Sequence, residues 1–317
     1  MQQASEPTAR VSGAEIVHLD PALEALIAPD TPIERVATGF QFTEGPMWRG
    51  GRLWFSDLVG NGMYAVAPNG ALELLIDHAG GFENPPVGKF LGSNAMVTAK
   101  DGSVLMMQHG LRRIARLDAQ LRIESFLDRF EGKRLNSPND LVFAPDGSLW
   151  FTDPPYGLID QDQDPAKELA FNGVYRYAGG KLTAPIRDLT RPNGLGFSAD
   201  GKTLYVCNSE PDMHVARYEV AADGSVSNAS RFISYPGSAP DVPDGLKLDT
   251  ADNLWTTGPG GIRILTPDGK VLGQIKLPEV AANLGWADGG ETLYITATSS
   301  VYRLRVKTRG KMPLYVR

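Results

Sequence analysis

Apolar positions in this chain do not follow a helical period. They come in short alternating runs, each entered through a glycine-rich or polar turn and carrying one large residue near its middle. The phrase reads GGRLWFSD at 50–57, DGSVLMMQH at 101–109 and DGSLWFTD at 146–153. It returns as DGKTLYVCN at 200–208, ADNLWTTG at 251–258 and GGETLYITA at 289–297. The equivalent positions are Trp54, Leu105, Trp150, Tyr205, Trp255 and Tyr294, separated by 51, 45, 55, 50 and 39 residues. Six strand-and-turn units of this length predict an all-β fold, a six-bladed β-propeller with one four-stranded sheet per unit. A β-sandwich would account poorly for six similar units.

The stretches between agree with that reading. GMYAVAPNGALELLI (62–76), GVYRYAGGKLTAPI (173–186) and GIRILTPDGKVLGQI (261–275) alternate around NG, GG and DG turns, as the outer hairpin of a blade should. Only PALEALIAP (21–29) reads as a short helix. Residues 1–35 are expected as an N-terminal extension on the outside, and 36–317 as one propeller domain. The final run VYRLRVKT (301–308) is expected to pair with the start of the chain and close the circle. The longest insertion, 155–173, is acidic and irregular; it fits either a lid or a solvated loop.

Ten to twelve residues before each central position stands an acid or an amide: Glu44, Asn94, Asn139, Asn193, Asp244 and Asn283. The innermost strands of a propeller surround its central channel, so equivalent positions lie on one ring about the axis. A lone Asn or Asp before a strand is ordinary turn chemistry; six in register, one of them a Glu, are harder to explain that way. Glu44 and Asp244 bring two negative charges that would be costly to bury together without a cation. Carboxylate and amide oxygens suit one hard divalent ion. Ca²⁺, Mg²⁺ and Mn²⁺ all suit such oxygens, and the absence of Cys and His from the ring argues against a typical structural zinc site; calcium is the expected ion, with magnesium, manganese, zinc and iron(II) as alternatives.

Charge and cysteine count narrow the function further. Lys+Arg total 31 against 37 Asp+Glu, a formal charge of −6, which argues against nucleic acid as the partner. Cys207 is the single cysteine, so the chain has no internal disulfide and no paired-cysteine metal motif. No apolar run reaches the roughly 20 residues of a membrane-spanning helix, and MQQASEPTAR lacks a signal-peptide pattern. The default expectation is a cytoplasmic monomer or homodimer without a membrane partner, periplasmic if a leader was removed. Cys207 and His214 are expected to be structural, and His18 and His78 to lie at the surface. Arg112 and Arg113 are expected to face outward.

At the ring residues the sequence resembles the SMP-30/gluconolactonase family, in its bacterial gluconolactonase branch, and more distantly the paraoxonases. The resemblance runs from about residue 20 to the end. It is carried by FTEGPMW (42–48), NSPNDLVFAPDGSLWFTDPPYG (136–157), RPNGLGFSADGKTLYV (191–206) and PDGLKLDTADNLW (243–255). It implies a six-bladed propeller that hydrolyses a sugar lactone of the glucono-1,5-lactone type, with Glu44, Asn139, Asn193 and Asp244 as metal ligands. Asn94 stands near the place where paraoxonases carry a catalytic histidine, which implies that this base is absent. Asn94, His109 and Asn139 are expected at the substrate. A cation polarising the lactone carbonyl needs a carboxylate to help deprotonate water. Asp244 is expected in that role, with Asp140 as the other candidate or as a support to the site. Another aldonolactone such as xylonolactone, a phosphotriester, or a non-catalytic binding propeller remain the alternatives.

Overall fold

The computed structural model describes residues 10–237 and 241–316, so residues 1–9 of the expected extension lie outside the described residues. Six antiparallel sheets form the blades of a propeller. Blade 1 runs outward through Thr43–Arg49, Arg52–Asp57, Gly62–Val66 and Leu72–Asp77. Blade 2 repeats this with Ser93–Thr98 to Ile123–Leu127, blade 3 with Leu141–Phe143 to Lys181–Ile186, and blade 4 with Pro192–Phe197 to Val226–Ser234. Blade 5 spans Leu246–Leu248 to Val271–Lys276 and gains Glu15–His18 as a fifth, outermost strand.

Blade 6 is completed by the other end of the chain. Its strands Ala281–Ala287, Thr292–Ala297 and Ser300–Arg305 are joined by Glu34–Thr38, with Glu34 opposite Arg303 and Thr38 opposite Ser300. The expected closure is present. The expected helix at 21–29 shrinks to a 3₁₀ turn over Pro21–Ala25, capped by the Asp20 carboxylate on the Ala22 amide. Pro29 disfavours helical backbone at the residue before it, and Leu23 and Ile27 are instead buried against the core of blades 5 and 6.

The six repeat-centre residues all lie on second strands and are at most 8% exposed. Fully burying a side chain of this size contributes about 1.5–3 kcal/mol. Aromatic contacts link successive blades: Trp150 meets Phe197 edge-on at 5.3 Å, Trp255 meets Trp286 at 5.2 Å, and Trp48 stacks on Tyr294 at 5.8 Å.

Arg112 corrects one expectation. It does not face outward: it is 4% exposed, with Nε donating to the Leu135 and Asn136 carbonyls and Nη1 to Ala166. Its φ of +56° turns the chain there, and the three carbonyls belong to irregular segments that need a donor. Arg113 is partly buried, donating through Nε to Gln108 Oε1. Through Ala166 the 155–173 insertion is tied down onto blade 2.

Candidate functional site

The ring residues stand where each blade reaches the axis, and the backbone is irregular there. Strand pairing slips between Glu44 and Met47, between Ser93 and Met96, between Pro192 and Leu195, and between Ala281 and Asn283. In blades 3 and 5 regular pairing begins only after the ring residue, at Leu141 and Leu246. Bulges re-aim side chains beside active sites; here they coincide with the acid and amide positions. Two glycines let neighbouring strands approach at this level. A Cβ on Gly45 would lie 2.4 Å from the Asn94 carbonyl oxygen, and one on Gly194 would lie 2.4 Å from that of Asp244. The Gly194 amide uses the approach to donate to the Asp244 carbonyl at 2.8 Å.

The side chains meet around the axis. Asn94 Nδ2 donates to Asn139 Oδ1, and Asn139 Nδ2 donates to Asn193 Oδ1. The Asn193 side chain also hydrogen-bonds Asp244. Across the axis Glu44 Oε2 accepts from the Gly45 amide and, at 3.0 Å, from Asn283 Nδ2. All the expected ring members are therefore together. Five are nearly fully buried, and Asp244 alone is half-buried.

Burial dominates the electrostatics. It raises the Glu44 carboxyl to about 7, helped by the charge of Asp140. It also lifts Asp244 well above the ordinary carboxylate range, assisted by the charges of Glu44 and Asp140. Asp140 lies on the other side of Asn283, whose Nδ2 is 3.4 Å from its Oδ2. Lys247 supplies a counter-charge: its Nζ is 3.8 Å from Asp140 Oδ2 and donates to Asn283 Oδ1 at 3.3 Å and the Leu246 carbonyl at 2.9 Å. Below them the channel widens into a cavity of about 250 Å³ lined by Met47, Met96, Phe197, Leu248 and Trp286 and bordered by Lys311–Leu314.

On the opposite flank His109 is fully buried. Its Nδ1 lies 3.1 Å from the Phe90 carbonyl, and its Nε2 lies 3.2 Å from both Asn94 Nδ2 and Asn139 Oδ1. Three residues here were missed by sequence reasoning. Ser209 joins Asn193 to the Pro243 carbonyl. Tyr156, from the insertion, hydrogen-bonds Ser209, and its phenol is raised by burial and by the charge of Asp244. Lys247 is the third; a charged residue inside the apolar LKL strand was the signal available.

The remaining candidates stay outside this group. Cys207 is buried, its thiol raised by desolvation and touching Thr256 Oγ1 at 3.5 Å. His214 opens a strand with Nδ1 on the Asp212 carbonyl, His78 is exposed beside Asp77, and His18 lies half-buried in the outermost strand of blade 5.

The residues present fit a divalent cation. Asn94 Oδ1 is buried without a hydrogen-bond partner, two carboxylates are desolvated, and every donor atom on the ring is oxygen. Among the described residues no group of three or more His, Cys, Asp or Glu is placed to hold a metal. Amide oxygens must therefore complete any coordination shell, as hard cations accept.

Known proteins share this architecture. A gluconolactonase from Zymomonas mobilis is 37% identical over 312 residues, covering 93% of this chain and 87% of that one. A pentonolactonase from Haloferax volcanii is 27% identical over 82% of this chain and 83% of its own. The solved structure of a gluconolactonase from Xanthomonas campestris superposes with a TM-score of 0.82 at 29% identity, covering 96% of this chain and 99% of that chain. A model of the SMP-30/gluconolactonase/LRE-like region matches residues 42–299, and the chain belongs to that family.

Proposed function

We propose that the chain hydrolyses a sugar lactone of the glucono-1,5-lactone type to the open aldonate, at a divalent-cation site formed by the polar ring. The observation that carries this reading is the buried Glu44 carboxylate and the half-buried Asp244 carboxylate, both desolvated and set among amide oxygens in a chain 37% identical to a gluconolactonase. Glu44, Asn139, Asn193 and Asp244 would hold the ion, with calcium the best match to the donor set. When bound, such an ion supplies an electrophile that polarises the carbonyl and offsets oxyanion charge.

The chain's own residues account for the proton. Asp244, the half-buried member, takes a proton from the attacking water as its oxygen adds to the lactone carbon. The ring C–O bond then breaks, and the departing alkoxide recovers that proton from Asp244. Asp140 is buried against Lys247 and Asn283, so its part is to support Asn283 rather than to meet water. Asn94 and Asn139, joined through Asn193 to Asp244, would meet the substrate beside it.

The test is titration of acid release from glucono-1,5-lactone and from pentonolactones, before and after chelation. Activity should vanish with chelator and return with calcium or manganese, and Asp244→Asn should lower kcat by at least about 100-fold. Full activity of the chelated protein would remove the cation from the reaction.

A further inference from the structure

The amides of Asn94, Asn139 and Asn193 form a row whose hydrogen bonds all run one way, and each end of the row is fixed by a backbone carbonyl. At one end the Pro243 carbonyl accepts from Ser209 Oγ at 2.7 Å. A hydroxyl has one hydrogen and two lone pairs. With that hydrogen committed, Ser209 Oγ can only accept from Asn193 Nδ2, at 3.1 Å, and from the Tyr156 hydroxyl. At the other end the Phe90 carbonyl, 3.1 Å from His109 Nδ1, requires the proton on that nitrogen. Nε2 is then an acceptor, and Asn94 Nδ2 lies 3.2 Å from it. Nε2 also faces Asn139 Oδ1 at 3.2 Å, an acceptor against an acceptor that a proton on Nε2 would turn into a bond.

An amide whose NH₂ is claimed on one side presents its oxygen on the other. Asn94 does so: its Oδ1 is buried and has no partner. Asn193 Oδ1 accepts from Asn139 and keeps a second lone pair. We propose that His109 and Ser209 are positioning residues that lock Asn94 and Asn193 with their carbonyl oxygens turned to the axis, and that Asn94 Oδ1 is a further ligand of the cation. The proposal rests on the cation reading of the ring given above. His109 thereby acts through Asn94 and not by meeting substrate.

Two measurements test it. In the metal-free wild-type protein, ¹⁵N shifts of the His109 ring, assigned by difference with His109→Leu, should show a protonated Nδ1 and a bare Nε2 from pH 5.5 to 8. A protonated Nε2 overturns the proposal. Calorimetric titration with calcium and with manganese should show affinity lowered about 10–100-fold in Ser209→Ala, His109→Leu and Asn94→Ala, the usual cost of losing support to a ligand. Circular dichroism in chelator reports whether each variant is folded, and if one is not, the wild-type ring shifts decide. Cation binding by the wild type with unchanged affinity in the variants overturns this proposal alone. Absence of binding by the wild type overturns the cation reading and this proposal with it.

Discussion

Lys247 places its ammonium 3.8 Å from the Asp140 carboxylate, in the channel and beside the Asn283 amide that also binds Glu44. The pair sets the charge against which the ring is built. Asp140 raises Glu44 and Asp244, whereas Lys247 lowers both.

Removing the ammonium should leave Asp140 buried without its counter-charge. Lys247→Met is expected to destabilise the metal-free protein by about 2 kcal/mol, below the 3–5 typical of a fully buried pair because Lys247 is 27% exposed. Lys247→Met combined with Asp140→Asn should recover most of that loss. Urea unfolding of the two single variants and the double variant provides the check; additive losses would show that the two groups do not interact.

Stability of the metal-free protein should fall as pH rises. Glu44, ordinarily near 4.5, is held at about 7 in the fold. The folded state therefore binds more protons than the unfolded one across that interval, and the stability this gives is lost as pH rises through 7. Glu44 alone accounts for about 3 kcal/mol between pH 4.5 and 8. Asp244 adds to the slope, as does Asp153, which burial lifts to about 7 despite two backbone N–H bonds. Thermal melts in chelator from pH 5 to 8 should show the decline, and saturating calcium should remove the ring's share while leaving that of Asp153. Glu44→Gln should flatten the decline in chelator and abolish the response to calcium.

Gly45 is held at φ +60° with its missing Cβ 2.4 Å from the Asn94 carbonyl oxygen. Gly45→Ala should destabilise by about 2–3 kcal/mol and weaken cation binding, since the strand carrying Glu44 must move. Gly50, at φ +58° with open space around it, serves as the control. Gly50→Ala should cost about 1 kcal/mol and leave binding alone. Equal losses in both variants, by urea unfolding, would assign the effect to backbone conformation and not to crowding.

The ring was legible in the sequence because a propeller repeats its geometry: aligning six apolar strands also aligned the residues that precede them. Glu44 and Asp244 stood out by charge, Asn139 and Asn193 by the prolines before them. Ser209 was not legible, because its contact with Asn193 depends on a bulge after Pro192 and on a carbonyl at Pro243. Tyr156 belongs to an insertion present in one blade, so no repeat predicted it. Arg112 was misread because exposure of an arginine follows from its average behaviour, whereas here carbonyls of two distant segments surround it. Periodicity reports what blades have in common, and the polar contacts that differ between blades are invisible to it.

Thr38 and Ser300 touch through their hydroxyls although 262 positions separate them in sequence. The sixth sheet can therefore be finished only after synthesis has passed Arg305, because its outermost strand, Glu34–Thr38, pairs with Ser300–Arg303. A chain cut short before Ser300 would leave the Glu34–Thr38 strand without the neighbour it pairs with, and so with its hydrogen-bonding edge unpaired.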